Sequence, residues 1–342
     1  MTIIPIPLLI TGLALSFYMA WNTGVNDLAN SMGDVVGSKA LTLRQVILLA
    51  AVLNFLGATL FGSRVTRTVA KGIVPISEID AHLVTVGCLS ALFAAALWVT
   101  LATYFSLPVS TSHSVVGAML GFGIGCGIMG AISFGAISWM VLIKIVASWV
   151  LSPIAGACMA FLIYKLLLHF LRRSESKDME KLESGFFRYL VILSSSYQAF
   201  SFGSNDVANA IAPLSAAFGT VGAEVPMWIL AFGGIGIVIG LATWGYRVVW
   251  TIGKKITELT PSRGFSADIA CATTVLVCSS LGMPVSTTHT IVGAVIGVGL
   301  ARGFDAVDFG KVKQIVYSWI ITVPVTLGIS LLIFLGLVVM GV

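Results

Sequence analysis

The stretch GVNDLANSMGD, residues 24–34, follows twenty-three residues without one charged side chain. A chain that has just written a membrane-spanning run thus places Asn26, Asp27, Asn30 and Asp34 at its end. A second stretch, GSNDVANAIAP at 203–213, repeats Gly-x-Asn-Asp-x-Ala-Asn after another apolar run. One carboxylate at such a place could be incidental. Two in the same local sequence call for a shared role.

The composition supports the membrane reading. Of 342 residues, 58% are hydrophobic and 10% charged, against about a quarter charged in soluble domains; the mean hydropathy is +1.03. Residues 1–26, 81–143, 145–164, 225–246, 269–301 and 314–342 hold no Asp, Glu, Lys or Arg. Crossing the hydrocarbon core takes roughly 20 apolar residues, so the run from 81 to 143 must contain more than one crossing. The expectation is an all-α polytopic membrane protein of about ten to twelve membrane segments, several of them interrupted. The N-terminus lacks a basic region and leads straight into the Asn-Asp motif, so a cleaved signal peptide is not expected. The net charge of +5 sits mostly in short loops, where it sets orientation and gives no nucleic-acid signal. Cys88, Cys126, Cys158, Cys271 and Cys278 all lie in apolar sequence without metal-ligand spacing and read as buried small hydrophobes.

The one long hydrophilic stretch, RRSESKDMEKLESGFFR at 172–188, divides the chain nearly in half. Its mixed charge reads as a solvated linker or short surface helix, and its Lys and Arg place it on the cytoplasmic side. The organisation is therefore 1–171, first half; 172–188, linker; 189–342, second half. Asn26, Asp27 and Asn30 recur at Asn205, Asp206 and Asn209, an offset of 179, and LPVSTSHSVVGAMLG (107–121) recurs as MPVSTTHTIVGAVIG (283–297), an offset of 176. Asp27 to Ser110 is 83 residues and Asp206 to Ser286 is 80. Two patterns in matching order and spacing indicate internal duplication. Repeats with interrupted hydrophobic segments point to a secondary transporter's binding site. Pro108 and Pro284 disfavour helix just before them, so each PVST reads as the start of a half-helix or the turn of a re-entrant hairpin. Gly24 and Gly203 read as further interruptions, beside the acids.

Each PVST element offers three hydroxyls: Ser110, Thr111 and Ser112, then Ser286, Thr287 and Thr288. Ser and Thr cap helices, and a helix N-terminus presents free N–H groups and a positive dipole end. That is an anion site with no fixed cation, suited to an anion that must be released again. The bland alternative is hydroxyls that only cap or bond back to carbonyls. In the Asn-Asp motif, Asn26 and Asn30 share a helix face, and carboxylate, amide and any freed carbonyl oxygens suit a hard cation. An intramembrane Asp reads by default as part of an ion or proton pathway. Asp34 has no counterpart, Pro213 standing in its place, and fits a cap at the membrane surface. His113 and His289 follow the triplets and fit accessory anion or proton contacts and simple packing equally. The glycine-rich run 121–130 fits close helix packing. Paired cation sites beside paired anion sites describe coupled transport.

The two Asn-Asp motifs and the two PVST(S/T)H elements resemble the signatures of the inorganic phosphate transporter (PiT) family. The resemblance extends through GSRVTRTVAKGIVP (62–75) and TPSRGFSADIA (260–270). It implies a cation-coupled phosphate symporter of the cell (inner) membrane, not an enzyme, with inverted repeats meeting at a central site and no cofactor beyond coupling ions. On that pattern Ser110, Thr111, Ser112, Ser286, Thr287, Thr288, Asn26 and Asn205 hold phosphate, while Asp27, Asp206, Asn30 and Asn209 hold sodium. The family often carries Glu where this chain has Asn54 and Asp268. Losing a titratable group at Asn54 favours sodium over protons. A proton-coupled phosphate or metal-phosphate symporter, a sulfate permease and a passive channel stay open, as does a homo-oligomer. An intramembrane hydrolase is disfavoured, because adjacent Ser112 and His113 point about 100° apart on a helix.

Overall fold

The structure is a computed structural model that describes residues 5–105, 109–173, 179–220, 224–246 and 260–341. Among these residues the chain forms eleven α-helices and no strand. The first half holds α1 (Ile6–Gly37), α2 (Leu43–Gly72), α3 (Ala81–Tyr104), α4 (Thr111–Ile128) and α5 (Trp139–Arg173). After the short α6 (Met179–Ser184) come α7 (Phe186–Ala217), α8 (Met227–Gly240), α9 (Pro261–Ser280), α10 (Thr287–Arg302) and α11 (Phe309–Val339). Helix starts are written locally. Thr42 and Gln45 form a reciprocal capping box on α2, and Asp80 and Asp308 cap α3 and α11 through backbone N–H groups.

Six helices, α1 to α5 and α11, are long and apolar enough to cross a membrane. The 32-residue α7 is not among them, because Ser194, Ser195, Gln198, Ser201, Ser204, Asn205, Asp206 and Asn209 on it are all buried polar groups. A helix with so much buried polarity is held by neighbouring helices rather than by lipid. Cys158 departs from the expected burial and is exposed on α5.

The contacts fix the helix directions. The end of α1 lies with α7's start, where Arg188 donates to the Ala40 carbonyl. The start of α1 lies with α7's end, Gly12 packing against Phe218, so the two helices run oppositely. The start of α8 lies beside the last third of α2, where Val225 N–H donates to Ser63, so these helices also run oppositely. The hairpin α3–α4 has its open end with Ile73, whose carbonyl accepts from Ser138 N–H just before α5. The hairpin α9–α10 has its open end at the other side, with Glu183 on Ser262 and Arg263 on Tyr164. The tips meet in the middle: Ser112 donates to the Val285 carbonyl at 3.0 Å.

Each half packs mainly on the other. Helix α2 lies on α7 as α8 lies on α1, and α5 lies on α10 as α11 lies on α4. Glycines allow the approach. A Cβ at Gly24 would stand 2.0 Å from the Ile237 carbonyl oxygen, and one at Gly203 would stand 2.1 Å from that of Asn54. This corrects the expected interruptions at these glycines. Both α1 and α7 run unbroken through their Asn-Asp motifs, so no backbone carbonyl is released there as a ligand. Gly121, in the glycine-rich run, does serve close packing, its Cβ position being 2.3 Å from the Leu327 carbonyl oxygen.

The PVST elements do begin helices. Ser110 caps α4 through His113 N–H and Ser286 caps α10 through His289 N–H. Pro108 lies outside the described residues. With 16 residues, α10 reaches about 24 Å, short of a hydrocarbon core of about 30 Å. Much of the 172–188 stretch is helical: α5 continues to Arg173, α6 occupies Met179–Ser184 and α7 starts at Phe186, while 174–178 lie outside the described residues.

Candidate functional site

The unbroken helices carry the two Asn-Asp motifs to the centre, where the hairpin tips arrive. Asp27 on α1 and Asp206 on α7 adjoin one another and are almost fully enclosed, at 2% and 0% exposure. Asp206 is held on every side. It accepts from Asn205 Nδ2 (2.9 Å) and Asn209 Nδ2 (3.2 Å) through Oδ1, and from Thr287 Oγ1 (2.8 Å) through Oδ2. Asp27 differs: its Oδ2 is buried and accepts no hydrogen bond. Among the described residues neither carboxylate has a Lys or Arg partner.

The Asn side chains cross between halves. Asn30 Nδ2 on α1 donates to Thr288 Oγ1 on α10 at 3.1 Å, and Asn209 Nδ2 on α7 donates to Thr111 Oγ1 on α4 at 3.0 Å. Each half-helix N-terminus is thereby tied to the acid-bearing helix of the opposite half. With Ser110 and Ser286 spent on His113 and His289, the N–H groups of Thr111, Ser112, Thr287 and Thr288 still lack intrahelical acceptors. They face a core in which all six triplet hydroxyls are buried.

Other expected site residues hold the tips in place. Asn205 Nδ2 donates to the Val285 carbonyl (2.8 Å) and its Oδ1 accepts from Val285 N–H (3.4 Å), pinning the turn before α10. Asn26 Nδ2 reaches the Asn22 carbonyl (3.1 Å) and Thr103 on α3 (3.5 Å), so it braces the other hairpin. His113 and His289 meet each other, ring centroids 4.3 Å apart, and are flanked by Trp149 (3.7 Å) and Trp319 (3.5 Å). They form a four-ring cluster, the two histidines edge to face, that joins the two half-helices near their N-termini. Trp149 and Trp319 were not singled out from the sequence.

A second acidic group went unread. Asp34 is no surface cap. Its Oδ2 is buried and without a hydrogen-bond donor, and it lies beside Asp268 of α9. Ser195 on α7 bridges the two, donating to Asp268 Oδ2 (2.6 Å) and Asp34 Oδ1 (3.2 Å), while Ser194 adds a bond to Asp268 (2.9 Å). Gln198 donates to the Asn30 carbonyl (3.1 Å) and keeps its own Oε1 buried and unpaired. One face of α7 thus carries Ser195 and Gln198 beside the second pair and Asn205 and Asp206 beside the first.

The geometry brings together two buried acids, the amides of Asn30, Asn205 and Asn209, and two half-helix N-termini. The phosphate transporter family model matches residues 23–330, a span holding every one of these groups. The chain belongs to the phosphate transporter family. It is 42% identical to a protein of Pyrococcus horikoshii named as a phosphate permease, over 99% of this chain and all of that one. It is 40% identical to the chloroplastic inorganic phosphate transporter 2-1 of Arabidopsis thaliana, over 92% of this chain and 69% of that one. A solved structure titled the sodium-dependent phosphate transporter matches with a TM-score of 0.88 and 37% identity, over 98% of this chain and all of that one. This member of the family is thus a multi-pass membrane transporter rather than an enzyme.

Thr111 and Thr288 offer a test of the cross-ties. Replacing either by Val keeps the shape and removes the amide's acceptor, a loss of about 1–3 kcal/mol for a buried group left unpaired. Phosphate uptake in Thr111→Val and Thr288→Val is expected to show the Michaelis constant raised roughly 5- to 150-fold. Wild-type values in both would mean that the ties are incidental.

Proposed function

We propose that this transporter imports inorganic phosphate across the cell membrane together with sodium ions, by alternating access around the central chamber. The observation that carries this reading is the adjacency of Asp27 and Asp206 with no fixed cation beside them. Buried charge must be paired. Two carboxylates facing a phosphate held by N–H groups and hydroxyls need mobile cations, and each ion supplies the other's counter-charge. Asp27 Oδ2, with no donor of its own, is the open ligand, and oxygen donors suit sodium as a hard cation. The 37%-identical solved relative, titled sodium-dependent, supports sodium as the coupling ion. On this reading Thr111, Ser112, Thr287 and Thr288 bind phosphate, Ser110 and Ser286 shape the half-helix ends, and Asn30 and Asn209 serve the cations beside the acids. Asn26 and Asn205 hold the hairpin tips, and His113 and His289 space the half-helices. No resident cofactor is required.

The opposed directions of α1 and α7, and of the two hairpins, support two inverted repeats whose exchange of roles opens the chamber to one side and then the other. Phosphate is favoured over sulfate because hydrogen phosphate has an O–H to donate to a carboxylate. A site built on a required hydrogen bond discriminates strongly. A proton shared between Asp27 and Asp206 would be the other way to neutralise the pair. Uptake of radiolabelled phosphate into proteoliposomes separates the cases. The expected result is accumulation driven by an inward sodium gradient and unaffected by excess sulfate. Accumulation driven only by a proton gradient would replace sodium by protons, and full competition by sulfate would overturn the anion.

A further inference from the structure

On the side of the molecule opposite α6 a groove of about 500 Å³ opens between α5, α9 and the end of α2. Its lining is apolar, with Val141, Ile145, Leu151, Cys278, Leu281 and Met283 among its walls. The helix that forms most of it, α5, turns Ile143, Val146, Val150 and Ile154 outward as exposed apolar residues, so the medium at its mouth is lipid. One charged residue lines it: Lys144, the sole charge between residues 81 and 164. Lys144 lies about a turn and a half into α5, at the depth where a lysine reaches the headgroup layer. Beside the groove, Arg64 of α2 holds the Ser280 carbonyl, adding positive charge to the same rim. No Asp or Glu lines the groove.

The inner wall of this groove is the back of the transport site. Ser148 on α5 donates to the Pro284 carbonyl at 2.9 Å. The next residue, Val285, accepts from Ser112 and Asn205 on the other side, and Ser286 then caps α10. Pro284 and Val285 therefore lie between the groove and the buried acids, and whatever fills the groove bears on the turn that positions the α10 N-terminus.

We propose that the groove is a binding site for one anionic phospholipid, its acyl chain along the apolar walls and its phosphate on Lys144. The apolar lining matches the chain, and the lone lysine at its mouth matches the headgroup. Basic pockets between membrane helices take anionic headgroups in this way. The occupied groove braces residues 283–285 and supports the site from behind. The headgroup preference rests on Lys144, and one basic residue near the surface gives roughly fivefold enrichment of anionic over zwitterionic lipid.

The test is native mass spectrometry of the full chain purified from a phosphatidylcholine–phosphatidylglycerol mixture in equal parts, read beside phosphate uptake with and without phosphatidylglycerol. Wild-type protein is expected to retain one phosphatidylglycerol, about fivefold over phosphatidylcholine, and to transport faster in its presence. Lys144→Gln is expected to keep a lipid but lose the preference. Ala155→Phe and Ala147→Phe, which fill the groove from separate turns of α5, are expected to lose the lipid and the response to phosphatidylglycerol. Two filling variants guard against one of them failing to fold. Lipid retention equal in wild type and both filled variants would overturn the site. Retention without headgroup preference in the wild type would overturn the anionic assignment. Retention is read without phosphate, so it stands or falls separately from the transport reading.

Discussion

Asp27→Asn is expected to abolish sodium-driven phosphate uptake while leaving the folded protein as stable as wild type. The two acids of the chamber differ in what they hold. Asp27 Oδ2 accepts no hydrogen bond from the protein, so an amide in its place removes charge and a cation ligand but little scaffold. Asp206 accepts from Asn205, Asn209 and Thr287, and an amide there turns an N–H₂ group toward at least one donor. Breaking a buried charged pair from one side costs about 3–5 kcal/mol, roughly 2 × 10²- to 5 × 10³-fold. Uptake in proteoliposomes should fall by that factor in both variants. The melting temperature should fall only in Asp206→Asn. An Asp27→Asn protein with wild-type uptake and unchanged sodium dependence would remove Asp27 from the ion path and with it the basis of the coupling.

These acids were legible in the sequence because each appears twice in the same motif. So were the hydroxyl triplets, and Ser110 and Ser286 mark the half-helix starts just where the structure has them. The state of the backbone at Gly24 and Gly203 was not legible. A glycine inside a membrane run reads equally as a break or as room for a neighbour, and only the facing carbonyls of Ile237 and Asn54 decide it. The second acid pair was hidden for another reason. Asp34 and Asp268 come from distant parts of the chain and have no duplicate acids in the other half, so repetition could not point to them. Trp149 and Trp319 were hidden likewise, since an aromatic in an apolar helix carries no sign of what it will stack on.

Gly203→Leu and Gly24→Leu are expected to prevent assembly of the folded protein. At either position the first side-chain carbon alone would stand 2.0–2.1 Å from a backbone carbonyl oxygen, and a backbone group cannot swing aside as a side chain can. Ordinary overpacking costs about 1–3 kcal/mol; here two helices must separate, which takes the cost above that range. The measurement is the yield of monodisperse protein and its thermal unfolding, with Gly33→Leu as control, since nothing lies within 4 Å of a Cβ there. Monodisperse Gly203→Leu with a melting temperature matching that control would mean the α2–α7 contact is looser than described.

The interlocking of the halves also bears on how the molecule is made. A ribosome adds about 5–20 residues per second, so the second half trails the first by roughly ten to thirty seconds. Through that interval α1 has been synthesised without α7 and α8, the two helices it packs on most, and Asp27 has no Asp206 beside it. The nascent first half is an open clamshell with an acid and a glycine groove turned toward lipid or toward the insertion machinery. Biogenesis must shelter that surface until α7 and α8 arrive. Two separately translated halves should accordingly be degraded when expressed singly and rescued when expressed together.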